Sequence, residues 1–171
     1  LGLSLQLDRE QCCGALAEHL GRGESVRVQQ LPAGTSIVAI NSGCMAQWQK
    51  HYAPRAVTGI ATWLDDVCAR HAQRLIAKPL RIAVHLPCSQ QAQPNEVAAL
   101  RRLLRRLPGA TVLDLPAQPG CCGAAGTYFL NQPAISQRLA DEMAQAIARL
   151  DVDIVVSSNG GVEGIIALTD E

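Results

Sequence analysis

Leu3, Leu5 and Leu7 alternate with polar or small residues, which predicts a short strand at the start of the chain. Ala15 to Leu20 reads as a brief helix, stopped by Gly21-Arg22-Gly23. Ser36 to Ile40 is an apolar run of strand length that ends in a Gly-rich turn, Asn41-Ser42-Gly43-Cys44. Val57, Ile60, Leu64, Val67, Cys68 and Leu75 keep helical spacing and predict the longest helix of the chain. Arg81 to Leu86 reads as a strand leading into Pro87-Cys88. Asn95 to Leu107 is an amphipathic helix, with Val97, Leu100, Leu103, Leu104 and Leu107 inward. Thr111 to Leu115 is a further strand. Pro133 suits the first turn of a helix that carries Ile135, Leu139, Met143 and Ile147 at four-residue spacing. Asp153 to Val156 is a strand that enters Ser157-Ser158-Asn159-Gly160-Gly161.

Strands alternating with helices imply an α/β fold with mainly parallel sheets. The order of elements suggests two pseudo-symmetric, Rossmann-like halves, residues 1–78 and 79–171. Each half contains the tripeptide Cys-Cys-Gly, at Cys12-Cys13-Gly14 and at Cys121-Cys122-Gly123. In each, the tripeptide follows an apolar strand run and precedes a helix, a strand and a Gly-rich turn. The first copy looks shortened in its helix, around Gly21 to Gly34. The second copy has Cys88 upstream of its pair, and the first has Cys44 downstream, where the second has Val162. The repeat predicts a further cysteine about twenty positions upstream of Leu1. The chain begins at Leu1 rather than Met, which reads as a fragment or a processed product, and shows no signal-peptide pattern.

Four of the seven cysteines therefore form vicinal pairs. Adjacent cysteines reach disulfide geometry only with strain, but two thiolates projecting from one turn make good metal ligands. An odd cysteine count with vicinal pairs fits a reducing compartment better than a secreted disulfide scaffold. A glycine after the pair permits positive φ and a close approach to a bulky group. Iron–sulfur clusters and zinc both take thiolates converging from several loops. In open parallel sheets, ligands gather at the carboxyl ends of strands, where Cys44, Cys88 and both pairs fall.

Composition narrows the alternatives. Aromatics are 3% of residues, so the core must be built from Leu, Ile, Val and Ala. A formal net charge of zero argues against non-specific binding to nucleic acid or anionic membranes. No apolar run is long enough for a spanning helix, so no direct membrane insertion is expected. Arg101, Arg102, Arg105 and Arg106 form a basic stripe, read as a solvated face or a docking surface for an acidic partner. Cys68 reads as a core residue. His85, three before Cys88, reads as a packed or edge histidine, with zinc ligation as the sharper alternative. His19, His51 and His71 fall on predicted helices without a matching partner. Asp65, Asp66 and Glu163 form no paired-carboxylate constellation.

Gly120-Cys121-Cys122-Gly123-Ala124-Ala125-Gly126-Thr127-Tyr128 resembles the signature of the cysteine-rich CCG domain. That domain occurs in heterodisulfide reductase and in the iron–sulfur subunit of glycolate oxidase. His85-Leu86-Pro87-Cys88 is similar to the upstream cysteine of the motif, and Asn41-Ser42-Gly43-Cys44 to the downstream one. Thr127-Tyr128 and the Pro133 helix look most like the glycolate oxidase type, and the chain resembles the C-terminal portion of such a subunit.

The resemblance implies tandem modules that hold an iron–sulfur cluster of the 4Fe–4S type and pass electrons. Cys88, Cys121 and Cys122 would ligate one site, and Cys12, Cys13 and Cys44 would line the other. It also implies a flavoprotein partner that oxidises a 2-hydroxy acid, and a cytoplasmic location, at the inner face of the membrane through partners. The chain departs from the pattern at Val162, in place of the last cysteine, and at Gln47, where many members carry a second downstream cysteine. Two rival readings stand beside electron transfer. One is direct disulfide cleavage at an open iron position, as in heterodisulfide reductase. The other is a zinc-binding or metal-free interaction domain.

Overall fold

A computed structural model describes residues 12–22, 35–52, 57–71, 75–115 and 120–158. The strand expected at Leu3 to Leu7 and the position of Val162 lie outside the described residues. The chain is α/β with parallel strands, as expected. Helix α1 (Ala15–His19) follows the first Cys-Cys-Gly. Strand β1 (Ile37–Ala39), helix α2 (Ser42–His51) and strand β2 (Val57–Gly59) form a parallel crossover unit, with Ile37 beside Val57 and Ala39 beside Gly59. Helix α3 (Ile60–His71) continues directly from β2.

Strand β3 (Arg81–Val84) opens a second sheet, followed by the short helix α4 (Cys88–Gln91) and helix α5 (Pro94–Arg105). After strand β4 (Thr111–Asp114) come α6 (Tyr128–Asn131), α7 (Pro133–Ala148) and β5 (Ile154–Val156). The strand order is β4-β3-β5, all parallel. The chain crosses from β3 to one neighbour and then back to the other, so the carboxyl ends of β3 and β5 flank a topological switch point.

The central strand is buried throughout its apolar part. Ile82 is 1% exposed, and Ala83 and Val84 are as closely covered. Leu100, Leu104, Leu107, Val112 and Val156 pack around Ile82 and Val84. Burying each such side chain contributes roughly 1.5–3 kcal/mol. This aliphatic core is what the shortage of aromatics requires.

Two sequence expectations are corrected. The long helix from Val57 to Leu75 is a strand and a shorter helix, because Val57 and Thr58 complete parallel pairing with Ile37 and Val38. The longest helix among the described residues is instead α7, with sixteen residues. Of its four expected inner positions Met143 is buried and Leu139 and Ile147 are half-buried, but Ile135 is not covered. Ser136, Ala140 and Met143 are buried, while Ile135 is 47% exposed. Small residues lie inward here because the helix packs closely on the second Cys-Cys-Gly turn.

The α3–α5 contact ties the two sheets together. Helix α3 starts straight out of a strand, so no Ser, Asn or Asp precedes it to accept from its first amides. Glu96 of α5 does so from outside. Its carboxylate, on a residue only 4% exposed, accepts from Ala61 N at 3.3 Å and Thr62 N at 3.1 Å. The negative charge also meets the positive end of the helix dipole. A Cβ at Gly59 would collide with this carboxylate, so the strand-to-helix junction requires glycine.

The arginine stripe is largely used within the chain. Arg102 Nε donates to Asp65 Oδ2 at 2.6 Å, Arg106 Nε to Asp65 Oδ1 at 3.2 Å, and Arg101 Nη2 to Asp114 Oδ1 at 3.0 Å. For these three the acidic groups are this chain's own, on α3 and β4.

Replacing Glu96 with Ala should lower the unfolding free energy by about 1–3 kcal/mol, because it strands buried amide donors. Urea denaturation of the variant checks this, and Glu96→Gln, which keeps an acceptor oxygen, should lose less. The hydrogen bond and charge of Arg102, helped by Arg106, hold the Asp65 carboxyl below its usual range against the opposing effect of burial. This contribution to stability is complete above about pH 4. It fades as pH falls through the lowered native pKa. The stability gap between the wild type and Asp65→Asn should be flat above that pH and narrow below it.

Candidate metal centre

Both Cys-Cys-Gly turns share a glycine conformation and a hydrogen bond. Gly14 has φ 78° and Gly123 has φ 82°, the left-handed region that favours glycine. In each turn the glycine N–H, two residues on, donates to the sulfur of the first cysteine at 3.4 Å: Gly14 to Cys12 and Gly123 to Cys121. The first cysteine of each pair is exposed and the second faces inward; Cys13 is buried and Cys122 half-buried. Close approach adds a second reason for glycine at 123, since a Cβ there would stand 2.5 Å from the Ser136 carbonyl oxygen. Ser136 Oγ in turn donates to the Gly123 carbonyl at 2.9 Å, so α7 holds the second turn.

Cys44 and Cys88 come from helix starts. Asn41 caps α2, its Oδ1 accepting from Gly43 N at 2.9 Å and Cys44 N at 3.4 Å. The Gly-rich turn expected at Asn41 to Cys44 is therefore the first turn of a helix, and it aims Cys44 at the first pair. The Cys13 thiol donates to Cys44 Sγ at 3.1 Å. Cys88 opens α4 and is exposed. Cys68 is half-buried on α3 and takes no part.

Electrostatics couple Cys44 to Cys13 and Cys12, and Cys122 to Cys121 and Cys88. Burial, then the Cys13 hydrogen bond and the charges of Cys13 and Cys12, push the Cys44 thiol up to about 12. Burial, reinforced by Cys121 and Cys88, pushes Cys122 up as well, against backbone hydrogen bonds that favour its thiolate. Each central thiol thus senses the two other members of its set. Among the described residues, no three Cys, His, Asp or Glu side chains stand close enough to hold a metal ion together. The sulfurs are grouped, but not drawn in around a common point.

Three serines missed by sequence reasoning fasten these loops together. Ser42 Oγ lies 2.7 Å from Ser89 Oγ, and Ser158 Oγ donates to Ser42 Oγ at 3.2 Å. Ser42 N also donates to the Ser158 carbonyl at 3.3 Å. The cluster joins the loop bearing Cys44, the helix bearing Cys88 and the end of β5, at the switch point. Their only sequence signal is adjacency to cysteine or Gly-rich turns. His85, considered as a zinc ligand, is buried between β3 and β5 with Nδ1 3.1 Å from Ser157 Oγ, and burial lowers its pKa. It is a packed histidine. Gln47 is buried and bonds Glu18 and His51, and Lys50 pairs with Glu18 at 2.7 Å. That network ties α1 to α2. His19 and Leu16 of α1 also lie against Gly126, three residues after the second turn's glycine, so the two turns are neighbours.

The donor chemistry fits a thiophilic group. A bound cation would replace the protons that these thiols retain against one another's charge. Tetrahedral zinc, with bonds near 2.3 Å, would hold its sulfurs about 3.8 Å apart. Cys13 and Cys44 would have to spread to accept it.

In the metal-free chain at pH 7.5, iodoacetamide should label the exposed Cys12, Cys88 and Cys121 first. Cys44 should follow more than about tenfold more slowly, because the thiolate is the nucleophile and a raised pKa depletes it. Its labelling rate should climb steadily as the pH approaches 12. Peptide mass spectrometry over a labelling time course reads the order.

Residues 82–161 match the CCG cysteine-rich domain. The chain is 28% identical to the glycolate oxidase iron–sulfur subunit of Escherichia coli (strain K12), over 98% of this chain and 47% of that protein. It is 25% identical to one subunit of the fumarate reductase (CoM/CoB) of Methanothermobacter marburgensis, over 88% of this chain and 32% of that one. It is 24% identical to lactate utilization protein A of Geobacillus thermodenitrificans, over 94% and 76%. The chain thus spans about half the length of the glycolate oxidase protein and a third of the fumarate reductase one. No solved structure matches it.

Proposed function

We propose that this chain is the cysteine-rich portion of an iron–sulfur electron-transfer subunit in a 2-hydroxy-acid oxidase complex. It would take electrons from a flavoprotein partner that oxidises glycolate or a similar hydroxy acid. The observation that carries the reading is the repeated Cys-Cys-Gly turn, with one glycine conformation and one N–H···S bond in both copies. Similarity to the glycolate oxidase iron–sulfur subunit along nearly the whole chain supports it.

In this reading the chain has two modules, 1–78 and 79–171. Cys12, Cys13 and Cys44 hold a group in the first, and Cys88, Cys121 and Cys122 in the second, each of the 4Fe–4S type. Such a cluster supplies reversible one-electron chemistry when bound. The chain's own part is to set the sulfurs and their surroundings. The Gly14 and Gly123 amides withdraw electron density from Cys12 and Cys121, which favours the reduced state. The shielding of Cys13 and Cys122 keeps water from one side of each set. The serine cluster keeps the Cys44 and Cys88 loops at a fixed spacing. Exposed Cys12, Cys88 and Cys121 leave the other side open to a partner. Among the described residues no helix is long and apolar enough to cross a membrane. The same reading puts the chain in the cytoplasm, reaching the inner face of the membrane through its partners.

A second reading, reductive cleavage of a disulfide into two thiols at the same cysteines, is favoured by the exposure of Cys88 and Cys121. Similarity to a protein named for CoM and CoB adds to it.

Anaerobic purification and reconstitution should yield iron and acid-labile sulfide, with a paramagnetic signal on reduction. Cys121→Ser should cut the bound iron by about half if each set loads independently. Zinc without iron and sulfide, even after reconstitution, would overturn the reading. Disulfide-reductase activity with a chemical reductant would move the second reading ahead.

A further inference from the structure

Among the described residues, Cys13 and Cys44 are the one pair of sulfurs in hydrogen-bonding contact. Their 3.1 Å separation lies inside the ~3.5–4.0 Å typical of non-bonded heavy atoms. A disulfide needs about 2.05 Å, so closure asks for roughly 1 Å of further approach. The two cysteines are 31 positions apart and come from separate elements, a turn and a helix start, so the strain of a vicinal bridge does not arise. Cys13 is buried and Cys44 half-buried, so Cys44 is the sulfur of the pair that a small disulfide or thiol reaches. The second set has no such contact. Cys122 senses Cys121 and Cys88 only through their charge.

We propose that Cys13 and Cys44 form a reversible disulfide in the metal-free chain, so that a low-molecular-weight disulfide closes the first site and a thiol reopens it. The closing of the site rests on the reading that Cys12, Cys13 and Cys44 hold a metal group. In the first step one thiolate of the pair attacks the small disulfide, forming a mixed disulfide and releasing one small thiolate. In the second, the other protein thiolate attacks the protein sulfur of that mixed disulfide, forming Cys13–Cys44 and releasing the second small thiolate. The two protein thiols are oxidised by two electrons, the small disulfide is reduced to two thiols, and the two protons pass to the released thiolates. The bridge withdraws two of the three sulfurs of the first set. The second set keeps all three, so oxidation would separate the two sites functionally.

The test uses the reduced, metal-free chain treated anaerobically with oxidised glutathione. The chain should lose two of its seven free thiols, and peptide mapping should find Cys13 joined to Cys44. Cys12→Ser should still form this bridge. Reconstitution with iron and sulfide should then load about half as much iron as in the untreated chain, and dithiothreitol should restore the rest. A Cys12–Cys13 bridge, a stable glutathione adduct without a Cys13–Cys44 bridge, or equal iron in oxidised and reduced chains would overturn the proposal. If the reduced chain binds no iron, the cluster reading fails, while the peptide map still decides whether the bridge forms.

Discussion

Among the described residues, neither parallel sheet is large enough to bury itself. A two-stranded sheet, β1-β2, and a three-stranded one, β4-β3-β5, need helices to cover them and a shared surface between those helices. The contact of α3 with α5 supplies that surface, and Glu96 is its fixed point. A buried carboxylate is tolerated only when its oxygens are satisfied. Here they are satisfied by the open amides of another helix. The acid and the uncapped helix each remove the other's penalty. Asp65 with Arg102 and Arg106 closes the same contact farther along α3 and α5. This join and the Ser42–Ser89–Ser158 cluster together set the relative placement of Cys44 on α2 and Cys88 on α4.

The cysteine turns show how a repeated local structure can serve two unlike surroundings. The glycine conformation and the N–H···S bond are the same in both. What differs is what each turn leans on. Ser136 of the long helix α7 fastens the second. The first is followed by the five-residue α1, joined to α2 through Glu18, Gln47 and Lys50. The inward sulfur of the first turn therefore lies against Cys44, while that of the second keeps company with Cys88 and Cys121 only at longer range. Local backbone preference sets the turn, and tertiary neighbours set the chemistry of the sulfurs it carries.

Much of the candidate site was legible because its cysteines are rare and stand in a repeat. Cysteine pairs followed by glycine announced both a turn with positive φ and a sulfur-rich site, and both glycines have that conformation. The assignment of Cys44 to the first pair also followed from the repeat. The errors have a common physical origin. Val57 suits a helix face by periodicity, yet a free parallel partner at Ile37 was a stronger demand. Ile135 suits an inner face by spacing, yet the close approach of α7 to Gly123 left room only for Ser136 and its small neighbours.

The sequence by itself determined the α/β alternation, the aliphatic core, the two glycine-dependent turns and the pairing of cysteines within them. These depend on residue type and on short-range spacing, which any chain displays without folding. Only the tertiary structure decided that Glu96 caps α3, that Ser42, Ser89 and Ser158 meet at the switch point, and that Asp65 takes up two arginines. It also decided that Cys13 touches Cys44. Each of these joins residues distant along the chain, and the energy that selects them comes from desolvation and packing, which no local pattern records.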